Sequence, residues 1–325
     1  MMTFESILGQ AGPIRMLTQM LLRNRLPHSL LFTGIDGIGK QTTAGALAMA
    51  LNCLNPVGVS GCGRCRSCQK VISGNHPDVI TVRPDGAFIK IDQVRNMCKQ
   101  LRFAPVEGKW RVVIIQSAHR MNAEAANAIL KVLEEPPDAT VIILTANQTT
   151  DLLPTIVSRC RHIPFRPIPT EKIADSLVVS RGLSRETAII LAILARGSLG
   201  MALSADVDSW MDWRKSILQR LKSASGESIP SLFAFASALA NDKNRLDDAL
   251  RLIAVWFRDV LIYKLCPEKL VNKDFVEDIG HAAKRESIDQ ILEKMQVVFS
   301  AQAAIRRNAN RRLASEVMMM QLFKT

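Results

Sequence analysis

Residues 34–42 read Gly-Ile-Asp-Gly-Ile-Gly-Lys-Gln-Thr, one position short of a phosphate-binding loop. The pattern G-x-x-x-x-G-K-[ST] needs glycines where the backbone approaches a phosphate, a lysine as a point charge, and a hydroxyl to hold Mg²⁺. Gly34, Gly39 and Lys40 fit it, and Gly37 and Thr42 are further candidate contacts, but Gln41 stands where the hydroxyl belongs. Four cysteines follow, Cys53, Cys62, Cys65 and Cys68, in the pattern C-x8-C-x2-C-x2-C. In a chain without a secretory signal this spacing points to zinc rather than to disulfides. Four thiolates at about 2.3 Å leave no open position for water, so the site reads as structural. Gly63 lets the chain fold round the metal, and Cys53 would tie the end of the preceding helix to the insertion. Cys98, Cys160 and Cys266 are isolated and are expected as buried free thiols.

The elements that must position these residues are legible around them. Ser29–Thr33 is a short apolar run ending at Gly34, hence a buried strand, and 40–51 is an Ala/Leu/Met-rich helix. A strand, a glycine loop and a helix aim backbone N–H groups and a helix N-terminus at a phosphate. Further strands are expected at 78–82, 111–116, 140–145 and 161–165, with helices at 91–101 and 122–135, the last stopped by Pro136-Pro137. Strands alternating with helices imply an α/β fold with a doubly wound parallel sheet. Beyond the stiff segment 164–169 the pattern is helical and amphipathic to the end.

Composition bounds the partners. Lys and Arg outnumber Asp and Glu 42 to 30, giving a net charge of +12 and favouring an anionic partner, nucleic acid first. No apolar run reaches the roughly 18 residues of a membrane span. The opening MMTFESILGQ lacks the basic and apolar regions of a signal peptide, so a cytoplasmic protein with no membrane partner is expected.

Active sites in parallel sheets lie at the carboxyl ends of strands. A phosphate-loop ATPase needs a carboxylate after the third strand for Mg²⁺ and usually another to activate water. Here that place holds Gln116-Ser117-Ala118-His119. With the loop hydroxyl also gone, hydrolysis is not expected, while ATP binding without hydrolysis stays open.

The segment Asn127-Ala128-Ile129-Leu130-Lys131-Val132-Leu133-Glu134-Glu135-Pro136-Pro137, followed by Thr155-Ile156-Val157-Ser158-Arg159-Cys160, resembles the "LLK-LEEPP" and "T-SRC" motifs of the clamp-loader AAA+ proteins. The four-cysteine insertion after the loop, the missing acidic pair and Asn308-Ala309-Asn310 strengthen the resemblance, which is densest over residues 4–165. It implies an AAA+ domain at 1–166 carrying the zinc module at 53–68, a small helical lid at 167–206 and an all-α collar at 207–325. It also implies a subunit of the bacterial replicative polymerase's clamp loader, partnered by gamma/tau-type and delta-type subunits, the sliding clamp and primer-template DNA. In that family the SRC arginine enters a neighbour's ATP site, so Arg159 becomes a candidate catalytic finger in trans. Catalytic relatives carry a further arginine in "GSLR", whereas Gly197-Ser198-Leu199 is followed here by Gly200. Two rival readings remain: an active ATPase of the gamma/tau type, and a zinc-dependent DNA-binding module on an inert AAA+ fold. Only 5% of residues are aromatic and none sits among the cysteines, which leaves the latter without a stacking platform.

Overall fold

The run Ser29–Thr33 forms strand β1, buried at every position. It is preceded by helix α1 (Ala11–Leu22) and followed, across the glycine loop, by α2 (Lys40–Asn52). The computed structural model describes residues 3–224, 226–242 and 245–323. The cysteine insertion carries the short helix α3 (Arg66–Ile72) and leads to β2 (Val79–Val82). Then come α4 (Ile91–Gln100), β3 (Arg111–Ile115), α5 (Ala123–Glu134), β4 (Thr140–Ala146), the single turn α6 (Pro154–Val157) and β5 (Arg161–Pro164). All five strands are parallel, in the order β2-β3-β4-β1-β5. The expected elements therefore form, with ends shifted by a residue or so.

Side chains of alternate residues point to opposite faces of a strand, and both faces are covered. On one face Leu30, Phe32, Val112, Ile114, Val141 and Ile143 pack with Leu17 of α1 and Ala44, Leu47 and Ala48 of α2. On the other, Leu31, Val113, Ile115, Ile142 and Leu144 pack with Val94 and Met97 of α4 and Ile129 and Leu133 of α5. This is why the central strands read as continuous apolar runs. The phosphate loop thus leaves the carboxyl end of a strand flanked by neighbours on both sides.

The chain divides into two compact units, Met1–Ile173 with Ala195–Leu203, and Ala174–Leu194 with Ser204–Thr325. The second unit is helical among its described residues: α7 (Thr170–Arg181) runs into it, and α8 (Arg185–Leu194) lies within it. After α9 (Leu199–Ser204) come α10 (Val207–Ser223), α11 (Ile229–Asn241), α12 (Leu246–Leu265), α13 (Val276–Arg285), α14 (Ile288–Arg306) and α15 (Arg311–Leu322). Helix α12 forms its axis, with Leu250, Ile253, Phe257 and Val260 buried. A polar network holds the turn after it. Buried Arg214 donates to Asp274 at 2.7 and 2.8 Å and to Asn272 Oδ1 at 2.6 Å, while the buried Asp259 carboxylate accepts from the Asn272 N–H at 2.7 Å. Within the Met318-Met319-Met320 run, the first two are buried and the third is exposed, as the 3.6-residue helical period requires.

No helix among the described residues is long and apolar enough to cross a membrane. One expectation is corrected: Cys98, Cys160 and Cys266 are free thiols but only half-buried. Desolvation nonetheless pushes the Cys160 thiol up to about 12, so it stays protonated.

Candidate functional site

The phosphate loop folds as its glycines dictate. Gly34, Gly37 and Gly39 all have positive φ, at 143°, 75° and 105°, where a side chain is strained. Gly37, Gly39, Lys40, Gln41 and Thr42 line a cavity of about 480 Å³, together with Ser117, Thr145 and Gly200. Gly34 lies beneath it, its N–H donating to Asn147 O at 2.9 Å. The N-terminus of α2, which begins at Lys40, opens into this space.

Lys40 is turned back on its own loop. Its ammonium donates to Gly34 O and, at 3.0 Å, to Ile35 O, with Asp36 Oδ1 at 3.5 Å. Burial lowers its pKa below that of an ordinary lysine, against the opposing charge of Asp36. Gln41 stands at the second position of α2, where the loop pattern places a hydroxyl for Mg²⁺. Thr43 does not compensate, because its Oγ1 donates back to Gly39 O at 2.8 Å. Across the cavity, Ser117 takes a left-handed conformation (φ 53°), and its N–H donates to Thr145 Oγ1 at 2.9 Å. The Thr145 hydroxyl is thereby engaged with backbone.

The wall opposite Lys40 is glycine against glycine. The Gly200 N–H donates to Gly37 O at 2.9 Å, and a Cβ on Gly200 would stand 2.9 Å from the Gly37 Cα. A Cβ on Gly37 would meet Ser198 Oγ at 2.3 Å. The position that carries an arginine in "GSLR" therefore takes a side chain only if the loop backbone shifts.

The four cysteines converge. Their Sγ atoms all lie within 4.8 Å of one another, with Cys53 and Cys65 3.9 Å apart. Sulfurs at the corners of a tetrahedron of about 2.3 Å bonds stand roughly 3.8 Å apart, so the group has the size of a metal site. Backbone N–H groups point at the sulfurs: Cys62 N–H at Cys53 Sγ (3.3 Å), Cys65 N–H at Cys62 Sγ (3.3 Å) and Cys68 N–H at Cys65 Sγ (3.5 Å). At Cys65 burial opposes ionisation, but the N–H groups of Cys68 and Leu54 prevail and hold the thiol at about 6, whereas at Cys53 and Cys68 burial prevails and pushes the thiols up. Hydrogen bonds to a thiolate stabilise the form that binds a metal. Cys53 caps α2 and Cys65 caps α3, and Ser67 Oγ donates to Asn52 O at 2.7 Å, tying the two helices together.

Arg159 sits after α6, partly exposed, away from the loop of its own chain. Its Nε donates to Glu134 Oε1 at 2.8 Å and its Nη1 to Thr155 O at 2.9 Å. The LEEPP and SRC segments, 25 residues apart in the chain, thus meet through one ion pair. His119 lies at the surface of the first unit with its Nδ1 buried and without a partner.

One buried pair escapes a reading of the sequence. Asp78, fully buried, accepts backbone N–H bonds from Val106 (2.7 Å), Glu107 (2.8 Å) and Gly108 (2.7 Å), and the Arg111 guanidinium at 2.9 Å. Asp78 precedes β2 and Arg111 opens β3, so only strand pairing brings them together; an aspartate at a strand start carried no signal.

A phosphate loop on a five-stranded parallel sheet, with LEEPP and SRC motifs joined on the surface, defines the AAA+ class, here without the groups that hold magnesium. The family model described as "DNA polymerase III, delta subunit" matches residues 9–169, and that described as "DNA polymerase III, delta subunit, C terminal" matches 208–324. The DNA polymerase III subunit delta' of Pseudomonas aeruginosa is 33% identical over 82% of this chain and 79% of its own length. That of Bacillus subtilis is 29% identical over 93% and 92%. The subunit tau/gamma of Haemophilus influenzae is 28% identical over 98% of this chain but only 49% of its own length. The chain belongs to the delta-prime family of DNA polymerase III and is a clamp-loader subunit.

Proposed function

We propose that this subunit is a non-hydrolysing AAA+ partner that completes a neighbour's ATPase site in trans. The observation that carries the reading is the close approach of Gly200 to Gly37, which puts loop backbone against the position where "GSLR" carries its arginine. Gln41, Gln116-Ser117 and the inward-turned Lys40 support it. With no local chemistry to serve, the partly exposed Arg159 would exchange its Glu134 partner for a neighbour's γ-phosphate. A guanidinium there neutralises charge that develops during phosphoryl transfer, worth about 10³–10⁵ in rate in GTPases. On this reading the partners are gamma/tau-type and delta-type subunits, the sliding clamp and primer-template DNA, in the cytoplasm. Residues 207–325 act as the oligomerising collar, and Cys53, Cys62, Cys65 and Cys68 hold one structural zinc.

Steady-state ATP turnover tests the reading. The isolated chain is expected to show none, and the assembled loader is expected to lose turnover at one site when Arg159 is replaced. Turnover by the isolated chain that Lys40→Ala abolishes would favour the gamma/tau-type motor instead. Elemental analysis of protein purified without chelators is expected to find one zinc per chain.

A further inference from the structure

The chain's excess of basic residues is unevenly placed. Residues 6–35 contain no Asp or Glu, and neither do residues 152–170. Between them they hold Arg15, Arg23, Arg25, Arg159, Arg161 and Arg166, six arginines in a chain whose net charge is +12. The fold lays the two segments side by side, because β1 pairs with β5 and Leu30 stands opposite Arg161.

At the amino ends of these strands, opposite the phosphate loop, Arg23, Arg25 and Arg161 line one depression of about 240 Å³. Its floor is Met16, Gln19 and Met20 of α1. All three arginines are exposed, and none takes part in the ion pairs among the described residues. Their backbone is fixed. Asn24 takes the left-handed conformation (φ 51°) and ends α1, with Arg25 N–H donating to Met20 O and Asn24 N–H to Leu21 O, both at 3.0 Å. This double closure stops the helix and presents Arg23 and Arg25 on either side of the turn. Arg161 is held by the β5 ladder.

We infer that this depression is a docking site for the phosphate backbone of nucleic acid, separate from both the phosphate loop and Arg159. Three guanidiniums converge with no acid to neutralise them, and the planar fork of arginine matches phosphate oxygens in pairs. The backbone is already ordered, so binding costs little beyond side-chain freedom. The lining holds no aromatic ring on which a base could stack, so binding is to phosphates and independent of sequence. An acidic protein segment shares the charge, but the lining offers only two methionines to hold its apolar side chains.

The test is fluorescence anisotropy of labelled primed duplex DNA with the full chain over a range of salt. Three proteins are compared: wild type, Arg23→Ala/Arg25→Ala/Arg161→Ala, and a charge-matched control, Lys264→Ala/Lys269→Ala/Lys284→Ala. Thermal melting checks that each is folded. The arginine triple is expected to bind roughly tenfold or more weakly at low salt, with a log–log salt slope smaller by about 2–3, near 0.9 for each phosphate left without its guanidinium. The lysine triple is expected to keep the wild-type slope. Equal weakening in both triples would reduce the effect to bulk charge and overturn the site, as would absence of wild-type binding. Unchanged DNA binding together with lost assembly with the other clamp-loader subunits would assign the surface to a protein partner instead. Arg159 is intact in every variant, so ATP turnover of the assembled loader reports separately on the proposed finger.

Discussion

Glu134 holds Arg159 by an Nε–Oε1 hydrogen bond of 2.8 Å, while the same guanidinium caps α6 through Thr155 O at 2.9 Å. The side chain is therefore parked in one orientation on the surface, half-desolvated and paired. Such a pair contributes little to stability, because solvent screens it and ordering two long side chains costs entropy. Its consequence lies in orientation.

Arg159→Ala is expected to change the stability of the isolated chain by no more than about 0.5 kcal/mol. In the assembled loader it lowers ATP turnover partially, since other sites keep their own arginines. Arg159→Lys fails similarly, because a point charge does not reproduce the planar fork on a phosphate. Denaturation of the subunit and steady-state turnover of the complex read the two effects apart; wild-type turnover in both variants would return Arg159 to the role of a helix cap.

Gly200→Arg restores the residue type of the "GSLR" motif but not its function. Its Cβ meets the Gly37 backbone, so the substitution forces the loop and α9 apart, at a cost of about 1–3 kcal/mol typical of overpacking. Thermal melting is expected to show the loss, with no ATP turnover gained. A stable variant that hydrolyses ATP would show that Gly200 alone had silenced the site.

Removing the metal is expected to loosen the cysteine module and leave the sheet intact. Binding at structural zinc sites reaches about 10–16 kcal/mol in zinc-finger peptides, which here would fix a stretch that otherwise joins the core of the sheet through Cys53, Cys68 and Val71. Hydrogen exchange with and without chelator should show faster exchange over residues 53–72 and unchanged protection in β3 and β4. Uniform exchange changes, or none, would contradict a local structural role.

Asp78→Ala leaves the Arg111 guanidinium buried without its carboxylate and three backbone N–H groups without an acceptor. Breaking one side of a buried pair costs about 3–5 kcal/mol, and urea denaturation is the measurement. The pH dependence follows in sign. Burial alone would raise the Asp78 pKa, but the N–H groups of Gly108, Val106 and Glu107 and the Arg111 side chain hold it below the ordinary value. A depressed folded pKa gives stability that is full above the unfolded value, near 3.9, and lost as pH falls through the folded one. The wild type should therefore lose this increment in acid, and the Asp78→Ala protein should lack that part of the slope.

Sequence by itself determined the sheet, the loop and the four-cysteine cluster, because these rest on short-range chemistry. Strand apolarity, glycines at positive φ and cysteines two residues apart are written locally, and they sufficed to identify β1, α2, β3 and the four thiols. The absence of the loop hydroxyl and of the acidic pair was equally plain. Tertiary structure decided what distant residues do to each other. Gly200 looked like a missing arginine; only packing against Gly37 made it a position where any Cβ presses on the loop backbone. Glu134 and Arg159 lay in two recognised motifs, but their pairing depends on how α5 and α6 sit at the sheet. Asp78 with Arg111, and Arg23 and Arg25 with Arg161, meet solely through strand order, since a parallel sheet brings together strand ends that lie tens of residues apart in the chain. Such meetings leave no period or spacing in a single sequence, because what fixes them is the register of the sheet.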